Sequence, residues 1–122
     1  IQQVGDRRRE IEILAGLSDV YNWYHRPQPA MAYNDQALAL ARELGDQAAQ
    51  ADCLVIRVLH RIGYYGQLLD AMPDAEEALR LARAVGEPQL LAQTLSNLGA
   101  TLQWRAEFNR GLAYLHEGAE LA

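Results

Sequence analysis

Three aromatic residues are the first candidates for chemistry in this sequence, because they recur at a nearly constant spacing. Trp23, Tyr64 and Trp104 follow one another at intervals of about 40 residues, a distance typical of repeat proteins. Aromatic rings stack on peptide side chains or on flat small molecules, and each contributes about 1.5–3 kcal/mol when a ligand buries it fully. If the three rings share one surface, they form a ladder that binds by stacking. The alternative is that each ring packs over the turn of its own helical hairpin.

The histidines and the single cysteine are the residues that could bind a metal or act as nucleophiles. His25, His60 and His116 lie far apart, and none has a Cys, Asp or Glu partner at the spacing of a metal site. Cys53 has no second cysteine to form a disulfide, so a buried structural thiol in a reducing compartment is expected. The sequence contains no Gly-rich phosphate loop and no nucleophile elbow. We therefore expect no metal, no cofactor and no enzymatic activity.

The overall charge narrows the classes of partner. The 122 residues include 11 basic and 16 acidic side chains, which gives a net charge of −5. Because no basic surface stands out, a nucleic-acid backbone is not an expected partner. No apolar run approaches the roughly 20 residues that span a bilayer, and no segment resembles a signal peptide. The sequence therefore predicts a cytoplasmic protein without membrane contact.

An internal repeat organises the elements that must position these residues. The segment ALALARELGD at 37–46 returns as ALRLARAVGE at 78–87. A period of about 40 residues is typical of helical solenoids, in which each repeat is one pair of helices. We predict a single repeat domain over residues 1–122. Its repeats cover about residues 6–45, 46–86 and 87–122.

Glycine followed by an acidic residue marks the predicted helix ends. Gly45 and Gly86 stop a helix, since glycine readily adopts the left-handed conformation there, and Asp46 caps the next helix. The same pattern at Gly5 and Asp6 predicts that Ile1 to Gly5 is the tail of a preceding helix. We therefore expect the chain to be a fragment of a larger protein.

Apolar spacing predicts six helices and no strand. The helices are expected at about residues 7–24, 29–44, 46–63, 70–85, 88–105 and 110–122. Pro27 and Pro29 separate the first two, because neither can sit in a helix interior, and Pro73 is expected in the first turn of the fourth. Short loops then join the helices in pairs. The predicted fold class is all-α: a right-handed α-solenoid of three antiparallel helical hairpins.

Small residues recur on the second helix of each pair, where two helices must approach closely. They are Ala30, Ala71 and Gly111, and then Ala37, Ala78 and Gly118. With the segment NLGATLQWRAEFNRGLAYLHEGA at 97–119, this pattern resembles the tetratricopeptide repeat family over nearly the whole chain. The period exceeds the one usual in that family, about 34 residues. It is similar to the longer repeats of bacterial signal-transduction ATPases, LuxR-type activators and cyclase-linked regulators. Leu59 departs from the pattern, because the family has Gly or Ala there.

The resemblance implies protein or peptide binding on the concave surface lined by the first helix of each pair. Overlaying the repeats predicts the groove residues Ala15, Asp19, Asn22, Trp23, Ile56, His60, Tyr64, Ser96, Ala100, Gln103 and Trp104. The Lys and Arg residues with which some members of the family hold a terminal carboxylate are lacking. The expected function is therefore a non-catalytic interaction module of a bacterial regulatory or signalling protein, whose groove selects its partner by shape more than by charge.

Two other functions remain open from the sequence. The aromatic residues would suit a small-molecule sensor that stacks on a flat effector, with Asn22 and Gln103 nearby. A structural spacer is the other alternative, because Leu115 and Leu121 lack a following hairpin to cover them. Uncapped ends of this kind predict end-to-end self-association into a homo-oligomer.

Overall fold

The computed structural model describes residues 4–103 and 108–121, which form helices and short connecting turns. The helices are α1 (Val4–Trp23), α2 (Pro27–Leu44), α3 (Gln47–Gly63), α4 (Leu68–Val85), α5 (Pro88–Gln103) and α6 (Phe108–Leu121). The described part of the chain contains no strand, so the predicted all-α class with six helices is confirmed. None of these helices combines the length and the apolar character needed to cross a membrane.

The predicted stop and cap signals act as expected at two hairpin ends. Gly45 and Gly86 follow α2 and α4 with φ angles of 67° and 78°, the left-handed region that favours glycine. The carboxylate of Asp46 accepts a 3.1 Å hydrogen bond from the backbone N–H of Ala49. This bond satisfies one of the amides that the first turn of α3 leaves without a helical partner.

The start of the chain differs from the prediction. Gly5 does not end a helix: α1 begins at Val4 and runs through both Gly5 and Asp6. A glycine stop requires a positive φ angle, which Gly5 does not have. Residues 1–3 of the predicted preceding helix lie outside the described residues. Asp6 lies in the first turn of α1, where its negative charge is favoured by the helix dipole.

The prolines lie deeper in the helices than the sequence suggested. Pro27 and Pro29 both fall within the first turn of α2, where their missing amides cost nothing. Pro73 is the sixth residue of α4, because that helix begins at Leu68 and not at Asp70. The missing amide of Pro73 would have bonded to the carbonyl of Leu69. Pro73 therefore leaves that carbonyl without its usual helical donor.

The helices pair into three antiparallel hairpins in chain order. In the first, Arg7 near the start of α1 forms a 2.7 Å ion pair with Glu43 near the end of α2. In the second, the Nε atoms of Arg57 and Arg61 lie 3.3 and 3.4 Å from the carboxylate of Asp74. Each hairpin packs on the next, since α2 contacts α3, and both α3 and α4 contact α5.

A continuous apolar core runs through the hairpins, with small residues where paired helices cross. Ala37 and Ala78 are fully buried at the same repeat position. Gly118 follows at that position in α6, where an added Cβ would lie 3.4 Å from the carbonyl oxygen of Ala92. Larger side chains fill the remaining space: Leu38, Leu54, Val58, Ile62, Leu95 and Leu98. Burying each of these contributes about 1.5–3 kcal/mol.

An ion pair between second helices recurs with the period of the sequence. Arg42 on α2 lies 3.4 Å from Glu77 on α4, and Arg83 on α4 lies 2.7 Å from Glu117 on α6. Arg83 is the repeat counterpart of Arg42, and Glu117 is that of Glu77. The repeat in the sequence is therefore also a repeat of contacts between neighbouring hairpins.

A candidate binding groove along the first helices

Two adjoining cavities open along the first helices of the hairpins. The α1/α3 cavity has a volume of 390 Å³ and is lined by α1, α3 and the Asp46 cap between α2 and α3. The α3/α5 cavity has a volume of 330 Å³ and also receives one residue of α1. Ala15, Asp52 and Ile56 line both cavities. The two cavities therefore form one track across three helices, which we call the groove.

The walls of the groove are largely apolar, and its charges lie mostly at one end. Ile11 and Ala49 line the α1/α3 cavity, together with the charged side chains of Arg8 and Glu12. Leu59 lines the α3/α5 cavity, which otherwise adds uncharged side chains, namely Val55, Gln93, Thr94 and Asn97. Among the lining residues, acidic side chains outnumber basic ones, so the groove favours a cationic group over an anionic one.

Asp52 is the carboxylate where the two cavities meet. Its side chain is exposed to the groove, yet the surrounding protein removes enough water to raise its pKa, and the nearby Asp46 carboxylate raises that pKa further. Both effects disfavour the charged form. A cation placed in the groove would reverse them, because an opposite charge close by stabilises the ionised carboxylate.

Asn22 and His60, both predicted to line the groove, bond to each other instead. The Nε2 atom of His60 lies 2.6 Å from Oδ1 of Asn22 and links α3 to α1. His60 is 2% exposed, and its Nδ1 atom has no hydrogen-bond partner among the described residues. Burial lowers the pKa of His60, against a smaller opposing effect of the Asp35 carboxylate. The pair therefore joins two hairpins through a neutral imidazole.

Trp23 and Tyr64 lie apart from the two cavities. Trp23 at the end of α1 is 82% exposed, and Tyr64 after α3 is 42% exposed. The Tyr64 ring lies 5.9 Å from the His60 ring at a tilt of 40°. Trp104 lies outside the described residues. Neither Trp23 nor Tyr64 lines the groove, although both present accessible ring surface.

The other predicted groove residues are dispersed. Ile56 lines both cavities, whereas Ser96 lines a third cavity between α5 and α6. Asp19 and Ala100 are exposed on α1 and α5. Gln103 ends α5, and its side chain is outside the described part of the structure. The groove therefore contains only some of the residues that the overlay predicted for it.

The sequence overlay missed two residues of the groove that carry a recognisable signal. Asp52 precedes Ile56 by four residues and so lies on the same face of α3. Leu59 stands where the first and third repeats have the buried small residues Ser18 and Gly99. Leu59 is 41% exposed and lines the groove. The departure from the small-residue pattern therefore coincides with an apolar residue in the groove.

Cys53 lines the α1/α3 cavity, but its thiol is not reactive. The residue is buried, and its backbone carbonyl accepts a 2.9 Å hydrogen bond from Nδ2 of Asn34. Burial, with smaller effects of Asp52, Asp35 and Asp46, raises the pKa of the thiol to about 12. In residues 4–103 and 108–121, no three His, Cys, Asp or Glu side chains come together as a metal-binding group.

Comparisons of the chain with protein-family models, with curated proteins and with solved structures give no significant match. The function of the chain is therefore inferred from the shape and charge of the groove.

Proposed function

We propose that this chain is a non-catalytic protein- or peptide-interaction module that binds its partner in the groove. In this proposal the three hairpins form a right-handed solenoid of tetratricopeptide type, within a cytoplasmic bacterial protein of regulation or signalling. The repeat period, the small residues at the helix crossings and the recurring Arg–Glu pair support that assignment.

The observation that carries the proposal is the sharing of Ala15, Asp52 and Ile56 by two cavities of 390 and 330 Å³. Each cavity has the size of a small ligand pocket, which is roughly 300–1,000 Å³. Adjoining cavities of this size suit successive side chains of one partner segment. An exposed apolar track with a polar rim is also the usual character of a protein-binding surface.

The charge at the junction of the cavities specifies the partner further. The Asp52 carboxylate, whose pKa is raised by burial, lines both cavities, one of which contains Ile11 and the other Leu59. A partner segment with one Lys or Arg between aliphatic residues would pair its cation with Asp52 and bury its aliphatic side chains in the cavities. We propose a peptide of this composition as the ligand class.

The test is selection from a random-peptide display library, followed by fluorescence anisotropy with the selected peptides. We expect enriched peptides to combine a basic residue with aliphatic neighbours. Leu59→Arg should raise their Kd about tenfold or more, because it puts a cation into the groove that repels the basic residue of the peptide. Leu69→Arg is the matched control, since Leu69 is an exposed leucine of α4 that lines neither cavity.

Two results would count against the proposal. A selection that enriches no peptide would contradict the proposed peptide binding. An equal loss of affinity in Leu59→Arg and Leu69→Arg would show that the peptides bind outside the groove. Asp52→Asn distinguishes the contribution of charge to peptide binding from that of shape. We expect this variant to lose the preference for Lys and Arg and to keep the binding of aliphatic side chains.

The exposed rings of Trp23 and Tyr64 favour small-molecule sensing as the second candidate. Accessible rings can stack on a flat effector. Asn22, however, is bonded to His60 and lies beside neither cavity of the groove. The groove therefore supports peptide binding better.

A further inference from the structure

A further cavity lies where the turn between α1 and α2 meets the turn between α3 and α4. Its volume is 440 Å³, which is within the range of small-ligand pockets, roughly 300–1,000 Å³. Residues 25–29 of the first turn line it, together with Tyr65 of the second turn. We call it the turn cavity. None of these residues lines the groove, so the turn cavity is a separate site.

The first turn is held in one conformation before any ligand binds. The backbone amides of His25 and Arg26 donate hydrogen bonds of 3.0 and 2.8 Å to carbonyls in the last turn of α1. Pro27 and Pro29 follow directly, and their rings fix the φ angles of the first turn of α2. A binding site whose backbone is already ordered loses little conformational entropy when a ligand binds.

His25 adopts a backbone conformation that glycine would adopt with less strain. Its φ angle is 57°, in the left-handed region that disfavours a side chain. The equivalent residue of the second repeat is Gly66, with a φ angle of 63°. The first repeat therefore places an imidazole beside the turn cavity at a cost in free energy that the second repeat avoids. Backbone strain of this kind is frequent at functional sites.

The side chains of the turn cavity combine a cation with apolar rings. Arg26 forms no ion pair with a carboxylate in the part of the chain that the structure describes, and none of the described lining residues is acidic. Its equivalent in the second repeat is the neutral Gln67. Tyr65 is 40% exposed, and the rings of Pro27 and Pro29 add apolar surface. Proline has no amide hydrogen, so an anion here would be held mainly by side chains.

We propose that the turn cavity binds a small aromatic carboxylate. The ring of the ligand stacks on Tyr65 and contacts the prolines. Its carboxylate pairs with Arg26, whose planar guanidinium can donate two parallel hydrogen bonds to both oxygens. Gln28 and His25 line the same cavity and supply further donors. The groove favours a cationic group and the turn cavity an anionic one, so this inference does not depend on peptide binding in the groove.

The test is a titration of the isotope-labelled 122-residue chain with indoleacetate, followed by the chemical shifts of the backbone amides. We expect a Kd of about 1 mM or lower, the affinity usual for a small ligand of this size. The largest shift changes should occur at His25, Gln28 and Tyr65, which line the cavity. Indoleacetamide is the matched neutral probe. It should bind about tenfold more weakly, because it has the same ring but no charge to pair with Arg26.

Two pairs of variants test the charge and the ring separately. Arg26→Gln should raise the Kd of indoleacetate about tenfold and leave that of indoleacetamide unchanged, whereas Arg9→Gln, an exposed arginine of α1 outside the cavity, should change neither. Tyr65→Leu should weaken both probes about threefold or more. Tyr64→Leu is its matched control, since Tyr64 is 42% exposed but does not line the turn cavity.

His25→Gly tests whether the strained residue serves binding. The variant should unfold at a temperature about 2–5 °C higher, because glycine relieves the strain, and should bind indoleacetate about threefold more weakly.

Three results would overturn the proposal. The first is an absence of shift changes up to about 10 mM indoleacetate. The second is an equal Kd for the two probes. The third is an equal weakening by Tyr64→Leu and Tyr65→Leu, which would show that the probes bind outside the turn cavity.

Discussion

The two junctions between hairpins use different chemistry. At the first, Asn34 is buried on α2 and donates a 2.9 Å hydrogen bond to the carbonyl of Cys53 on α3. The His60–Asn22 bond of 2.6 Å joins α3 to α1 across the same junction. At the second, those buried side chains of α4 and α5 that the structure describes are apolar except for Thr94, whose hydroxyl donates to the carbonyl of Leu90 within its own helix.

The repeat positions make this difference explicit. Asn34 and His60 correspond to Ala75 and Ala100 in the following repeats. Hydrogen bonds require a narrow range of distance and angle, so the polar junction accepts one relative position of the two hairpins. The apolar junction depends on volume and close packing instead. One repeat pattern therefore supports two ways of joining hairpins, one specified by geometry and the other by burial.

The largest expected effect is a cavity in the apolar region. Leu98→Ala should lower the free energy of unfolding by about 2–5 kcal/mol, because Leu98 is fully buried on α5. Asn34→Ala should cost about 0.5–1.5 kcal/mol, the usual net value of one hydrogen bond. Urea unfolding followed by circular dichroism measures both.

Asn97→Ala serves as the control for these two variants, because Asn97 is exposed on α5 and should change stability by about 0.5 kcal/mol or less. If Asn34→Ala lowered the free energy of unfolding more than Leu98→Ala, the polar junction, and not apolar burial, would be the main source of stability.

The next effect is a pH dependence that belongs to the first junction. The pKa of His60 is lowered below 6.5 in the folded state, so the unfolded chain binds its proton first as the pH falls. The contribution of neutral His60 to stability is therefore complete above pH 6.5 and is lost as the pH falls through that value towards the folded pKa. Thermal unfolding between pH 7.5 and 5 measures the loss.

His60→Gln is the matched variant, since glutamine can bond to Asn22 but does not titrate. Asp52 acts in the opposite direction at lower pH, because its pKa is raised and protonation favours the folded state. Both proteins contain Asp52, so its contribution cancels when the stability of His60→Gln is subtracted from that of the unaltered chain. Identical pH profiles for the two proteins would show that His60 is not the titrating group.

The smallest expected effect concerns the surface pair at the second junction. Arg83 lies 2.7 Å from Glu117, and this bond lowers the pKa of Glu117 and raises that of Arg83. A double-mutant cycle with Arg83→Ala and Glu117→Ala should give a coupling of about 0.2–1 kcal/mol, because the pair is exposed to water. The coupling should be lost as the pH falls below 4.5.

Salt provides the control for this pair. A concentration of about 1 M should remove most of the coupling, since exposed charges are screened over a few ångströms at that ionic strength. The equivalent Arg42–Glu77 pair, at 3.4 Å, should couple more weakly. A coupling that persists in salt would mean that the second junction also depends on a specific polar contact.

The sequence by itself determined the local structure of this protein. Gly45, Gly86 and Asp46 act through the backbone of their own helix ends, so their effect is visible in a few neighbouring residues. The period of about 40 residues fixed the number of helices and their pairing, because each repeat encodes one pair. Ala15 and Ile56 were also found in this way, since the overlay identifies residues on one face of a helix.

Tertiary structure decided which faces are covered. Ile13 and Leu54 hold the same repeat position, yet Ile13 is exposed and Leu54 is buried, because only Leu54 has a preceding hairpin beside it in the structure. His60 became part of a junction and not of a groove because Asn22 lies 2.6 Å away on another helix. Helical periodicity states which residues share a face, but burial depends on the neighbour that packs against that face.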